Sequence, residues 1–203
     1  NLHSNALLCL AIIESGLAAS DKKYLQDCQD ILAYITRQQR RDGSFVLSLV
    51  LPDMQPPLES NFNYDGAIES AALAALAIYK YAELDDKNAK VLQKRYELAV
   101  RNLQQKFAEE QNIEELPLSP WLIELLCLKT EATKEEKLLF VKFALAASLK
   151  SDKKPLFPDL FGSTKNLPSM TVAAEQTWII AKISKWLFEQ GEKDNAKAFL
   201  ADS

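Results

Sequence analysis

The chain reads as an all-α protein, and three observations predict it. Apolar residues recur at helical spacing along nearly the whole 203-residue chain. Alanine and leucine dominate, and both favour helix. Only 5 glycines occur, too few for the many tight turns of a sandwich or barrel.

Element by element, a first helix is expected from about Ser4 to Ser15, with Gly16 as its C-cap. Ser20 and Asp21 open a second, whose stripe is Tyr24, Cys28, Ile31, Leu32 and Ile35. A third spans about Asp65 to Ala82. A fourth starts near Asp85 and Asp86 and carries Val91, Leu92, Tyr96, Ala99, Leu103 and Phe107. Ser119-Pro120 opens a fifth, as a cap followed by proline at the first helical position. Thr133 to Glu136 has the form of a capping box and opens a sixth. A long seventh begins around Thr171 and stops at Gly191; a short eighth runs from Glu192 to Leu200.

The links alternate in length. Short links within pairs predict about four antiparallel hairpins. Long links fall at Arg40 to Tyr64, Gln111 to Leu118 and Ser151 to Ser169. If the hairpins stack side by side, all three long links emerge on one face, and loops of that length usually serve a function. Within the first, residues 44–51 have the composition of a short β-ribbon entered by the Asp42-Gly43 turn. Aligning the first helices of the pairs puts Asn5, Glu69, Glu124 and Glu175 at one repeat position, spaced by roughly 50 to 64 residues. One helical-hairpin domain over residues 1–203 is the expected organisation.

Composition excludes several functions. The net charge is −4 and no basic patch stands out, which argues against nucleic acid as a partner. No unbroken run of about 18 apolar residues predicts a membrane span. Cys9, Cys28 and Cys127 are odd in number and match no zinc spacing, so they read as small core residues; no metal site or cofactor is expected. The apolar start at Asn1, without methionine, suggests that further residues or a leader precede it. Compartment stays open, with the cytoplasm slightly ahead of export after leader removal.

Two segments carry a family likeness. Gln38-Gln39-Arg40-Arg41-Asp42-Gly43-Ser44-Phe45 resembles the Q-x-x-D-G-S-F/W segment that recurs in α/α-toroid proteins. Tyr64-Asp65-Gly66-Ala67, with the alanine-rich helix ending in Ile78-Tyr79, is similar to the Y-x-G-E-A segment of the six-hairpin glycosidase-like superfamily. The likeness covers residues 38–107 and implies a partial or open toroid that handles carbohydrate. Two departures matter. Ala67 stands where the family pattern has a glutamate, and about eight helices are expected where a closed six-hairpin ring needs about twelve.

The candidate chemistry follows from that face. Glu69, Glu124, Glu175 and Asp65 are the candidate catalytic carboxylates, since glycosidic chemistry needs one as acid and one as base or nucleophile. The plainer explanation is that an acidic residue early in a helix gains roughly 0.3–1 kcal/mol from the helix dipole. Asp42, Phe45, Asn61, Tyr64, Trp121, Asp159 and Phe161 are the candidate ligand-binding residues, the rings by stacking on sugar faces. For Phe45 and Trp121, packing of loops onto helices competes with that role. His3, the single histidine, reads as a solvated terminal residue rather than a base. A saccharide or similar polar ligand at the long-loop face is therefore the leading expectation, with or without hydrolysis or isomerisation. A non-catalytic repeat scaffold that binds a protein or peptide is the alternative. A terpenoid- or lipid-binding toroid ranks last, because no Asp-rich metal motif is present.

Overall fold

A computed structural model describes residues 1–20, 23–46, 64–108, 116, 118–128, 132–152 and 170–201. Among them are eight helices: α1 (Leu2–Ala19), α2 (Lys23–Gln38), α3 (Tyr64–Ala82), α4 (Ala89–Ala108), α5 (Pro120–Cys127), α6 (Lys134–Asp152), α7 (Met170–Glu189) and α8 (Lys193–Ala201). The all-α class is thus observed. No strand forms among the described residues; one antiparallel bridge pairs Gln39 with Phe45. Residues 47–51 of the expected ribbon lie outside the described residues. The chain divides into two compact units, Asn1–Lys106 and Phe107–Ser203.

In the first unit α1 packs on α2 and α3, and α2 packs on α3. Helix α3 is buried on every side from Ala72 to Ile78, which fits its apolar composition all round. Its alanines let neighbouring backbones approach closely. Tyr79 meets Tyr96 at 4.9 Å between ring centroids, which ties α3 to α4. The stripe expected on α4 is buried at Leu92, Tyr96, Ala99 and Leu103, whereas Val91 is exposed. On α2, Cys28, Leu32 and Ile35 are buried, whereas Tyr24 is 37% exposed.

The end of α1 corrects the expected boundary. The helix runs through Gly16 and stops at Ser20, whose backbone is left-handed (φ 55°) and whose N–H reaches the Gly16 and Leu17 carbonyls. Gly16 serves packing instead of termination. A Cβ there would fall 2.8 Å from the Tyr24 Cβ, so its absence lets α2 close on α1. Helix α4 also begins later than expected. Asp85 accepts from Asn88 Nδ2 at 2.8 Å and from the Lys87 N–H at 3.2 Å, which holds the preceding turn.

Helix α1 bears on the expected absence of a membrane span. By length and composition Leu2–Ala19 is apolar enough to cross a bilayer. One face of it, with Leu2, Ala6, Cys9, Leu10 and Ile13, is buried inside the first unit.

In the second unit α7 packs on α5, α6 and α8. Phe140 stacks on Trp186 at 3.9 Å, and Phe107 meets Phe143 edge-on at 5.5 Å. Helix α7 ends as its glycine predicts. Gly191 has φ 84°, its N–H reaches the Phe188 carbonyl at 3.1 Å, and the Glu192 N–H reaches Leu187 at 2.9 Å, the paired bonds of a Schellman motif. Lys137 of α6 donates to the Gln190 carbonyl at 2.9 Å and so places a cation at the α7 C-terminus.

The α6 capping box forms in both directions. The Thr133 N–H donates to Glu136 Oε2 at 2.8 Å, and the Glu136 N–H donates to Thr133 Oγ1 at 3.3 Å. Thr133→Ala should lower stability by about 0.5–2 kcal/mol, read as a shift of the urea midpoint. An unchanged midpoint would mean the box adds nothing. At α5 the expected cap is only half realised. Ser119 holds the N-cap position before Pro120, but its side chain makes no cap bond, and its buried Oγ has no partner among the described residues.

Candidate functional site

The residues expected on one face are shared between the two units. In the first, the Gln38–Phe45 segment is a structural device. Its backbone folds back on itself: Val46 N–H donates to the Gln38 carbonyl at 2.9 Å and Arg40 N–H to Ser44 at 2.8 Å. Asp42 accepts from the Ser44 N–H at 3.0 Å and the Ser44 hydroxyl at 2.7 Å. The Ser44 hydroxyl, ahead of its N–H, holds the Asp42 carboxyl below the usual carboxylate range. Gln39 Nε2 donates to the Arg95 carbonyl at 2.8 Å, while Arg95 returns a bond to the Thr36 carbonyl at 3.0 Å, so the turn is anchored on α4. Phe45 is tucked under the turn, 8% exposed, beside a cavity of about 200 Å³ shared with Arg40, Asn102 and Lys106. Asp42 thus holds a turn and Phe45 packs it down.

Of the remaining expected residues of this unit, Glu69 is the one whose side chain is described. Glu69 is half-buried on α3. The Tyr64 and Asp65 side chains, and Asn61, lie outside the described residues. His3 is half-buried and faces Ser70 Oγ at 3.5 Å, a pairing that spacing could not reveal. Ser70 donates its hydroxyl to the Gly66 carbonyl at 2.7 Å, one turn back along α3. That is a helix back-bond, which occupies the hydroxyl proton a nucleophile would give to His3.

The second unit brings expected residues together. Trp121 and Glu124 of α5 line one cleft with Glu175 of α7, joined by Trp178, Pro120 and Ala174. The cleft encloses about 490 Å³. Trp121 is 37% exposed and Trp178 40%, whereas the third tryptophan, Trp186, is buried in the core. Glu124 Oε2 pairs with Lys182 Nζ at 2.6 Å, and the same ammonium sits 5.7 Å from the centre of the Trp178 ring. Among the described residues, Glu175 has neither ion-pair nor hydrogen-bond partner. On α5 with Glu124, burial pushes the half-buried Cys127 thiol up to about 12.

The chemistry of this cleft is legible. Two partly exposed indoles supply apolar area, one carboxylate is neutralised by a lysine, and a second is open to donors. Sequence reasoning missed Trp178 and Lys182. The signal was present, since Glu175, Trp178 and Lys182 follow at i, i+3 and i+7 on one face of α7. Asp159 and Phe161 lie outside the described residues. Among the described residues no three His, Cys, Asp or Glu side chains gather as a metal-holding group.

Comparison of the chain with protein-family models, curated proteins and solved structures finds no match.

Proposed function

We propose that the second unit binds a saccharide in the Trp121–Trp178 cleft. The observation that carries this reading is the exposure of two tryptophans on a single cleft beside Glu124 and Glu175. Large rings left in water cost solvation unless something covers them. The C–H face of a pyranose covers an indole, and its hydroxyls donate to carboxylates. Glu175 is the acceptor for ligand hydroxyls, while Lys182 holds Glu124 against α7 and braces the Trp178 ring. The resemblance of residues 38–107 to carbohydrate-handling toroids points the same way.

Titration of the chain with soluble gluco-, xylo- and N-acetylglucosamine oligosaccharides, followed by calorimetry and tryptophan fluorescence, tests it. Saturable binding to at least one of them is expected. Trp121→Ala and Trp178→Ala should each weaken it by roughly tenfold, or about 1.4 kcal/mol. A double variant that binds as well as the parent, or a parent that binds none of the set, refutes the reading. Assaying the bound sugar for hydrolysis or isomerisation, with Glu124→Gln and Glu175→Gln alongside, separates a binding module from an enzyme.

A scaffold for a protein partner is the second reading. It is favoured by Leu7, Leu8 and Leu17 of α1, which are 43%, 50% and 49% exposed.

A further inference from the structure

Cys9 of α1 and Cys28 of α2 are both fully buried where the two helices pack. Cys28 Sγ donates to the Cys9 carbonyl at 3.7 Å. The sulfur of Cys28 thus lies against Cys9 across the two facing helices, the proximity from which a disulfide can be built. Both are free thiols in this structure.

We propose that Cys9 and Cys28 are a covalent modification site: they form a single intramolecular disulfide, clasping α1 to α2, by exchange with a small-molecule disulfide of the oxidised-glutathione class. In the first step the Cys28 thiolate attacks one sulfur of that disulfide. Its S–S bond breaks, one small thiolate leaves, and a mixed disulfide remains on Cys28. The Cys9 thiolate then attacks the Cys28 sulfur and expels the second small thiolate. Two protein thiols are oxidised and one small disulfide is reduced to two thiols, which carry away the two protons.

The surroundings set when this occurs. Burial, followed by the charge of Cys28, pushes the Cys9 thiol up to about 12, and burial also raises Cys28. Neither thiol reacts while the helices are closed. The bond forms as the α1–α2 pair assembles, or through its local opening. Cys127 belongs to the second unit and serves as an internal control.

The test uses the full chain, refolded in glutathione buffers of graded oxidised-to-reduced ratio. Acid quenches the exchange. Remaining thiols are tagged with a maleimide in denaturant, and intact mass and peptide maps are recorded. Oxidised molecules should carry one tag, on Cys127, with the Cys9 and Cys28 peptides linked. At a fixed ratio, the linked fraction relative to the reduced one should exceed that of a chain held in denaturant by about tenfold or more. Cys28→Ala should carry two tags throughout. Three tags at every ratio, a bond that involves Cys127, or equal oxidation of the folded and denatured chains would each overturn the proposal. The mass map of the unsubstituted chain decides the matter even if the variant folds poorly.

Discussion

Gly43→Ala should destabilise the first unit by about 2–5 kcal/mol, and two separate terms add to that figure. Gly43 has φ 89°, a left-handed backbone that costs a non-glycine residue roughly 1–2 kcal/mol. The second term is steric. A Cβ at Gly43 would land on the Leu98 carbonyl and within 3.1 Å of the Ala99 nitrogen. Those atoms belong to the α4 backbone, so no side-chain rotation relieves the clash. Forced overpacking of this kind typically costs a further 1–3 kcal/mol or so. Gly191→Ala isolates the first term. Gly191 has φ 84° but nothing within 4 Å of its Cβ position, so its cost should stay near 1–2 kcal/mol.

The distribution of aromatic residues makes the measurement clean. All six tyrosines lie in the first unit and all three tryptophans in the second. Urea unfolding followed by tyrosine signal should show the loss in Gly43→Ala, and unfolding followed by tryptophan emission should show the smaller loss in Gly191→Ala. If the two costs are alike, the Leu98 contact contributes nothing.

Phe140→Ala should destabilise the second unit by about 3–5 kcal/mol. Phe140 is 2% exposed and stacks on Trp186, itself 4% exposed, with the rings 24° from parallel. Truncation removes the transfer free energy of the ring, the ring–ring contact and the filling of the space between α6 and α7. Phe140→Leu keeps much of the volume and should cost clearly less. Tryptophan emission reports this substitution directly, because Trp186 loses its stacked neighbour. An alanine variant within 1 kcal/mol or so of the parent would show that the core collapses to fill the gap.

Much of the local structure was legible in the sequence. The Thr133–Glu136 box, the Gly191 stop and the Asp42-Gly43 turn all form where their residues indicate. The bonds that define each join residues at most five apart, so short-range chemistry makes them legible, although the Asp42-Gly43 turn is also tied to α4 through Gln39 and Arg95. The end of α1 was misread because a glycine can end a helix or admit a neighbour. The Tyr24 contact at Gly16 chooses between the two, and that contact comes from another helix.

The candidate site was half legible. Repeat spacing singled out Glu124 and Glu175, the long-loop face added Trp121, and the structure places the three on one cleft. The sequence weighed packing against a ligand role for Phe45, and the structure buries Phe45 under the turn. Nothing in the sequence hinted that Lys182 would pair with Glu124 across α5 and α7, or that Cys9 would meet Cys28. By itself the sequence determined the all-α class, most helix limits and most of the stripes that α2 and α4 turn inward. Only the tertiary structure decided which stripes face one another. Periodicity fixes a residue's angle about its own helix axis, whereas a cleft, an ion pair or a thiol pair requires two axes brought together by packing.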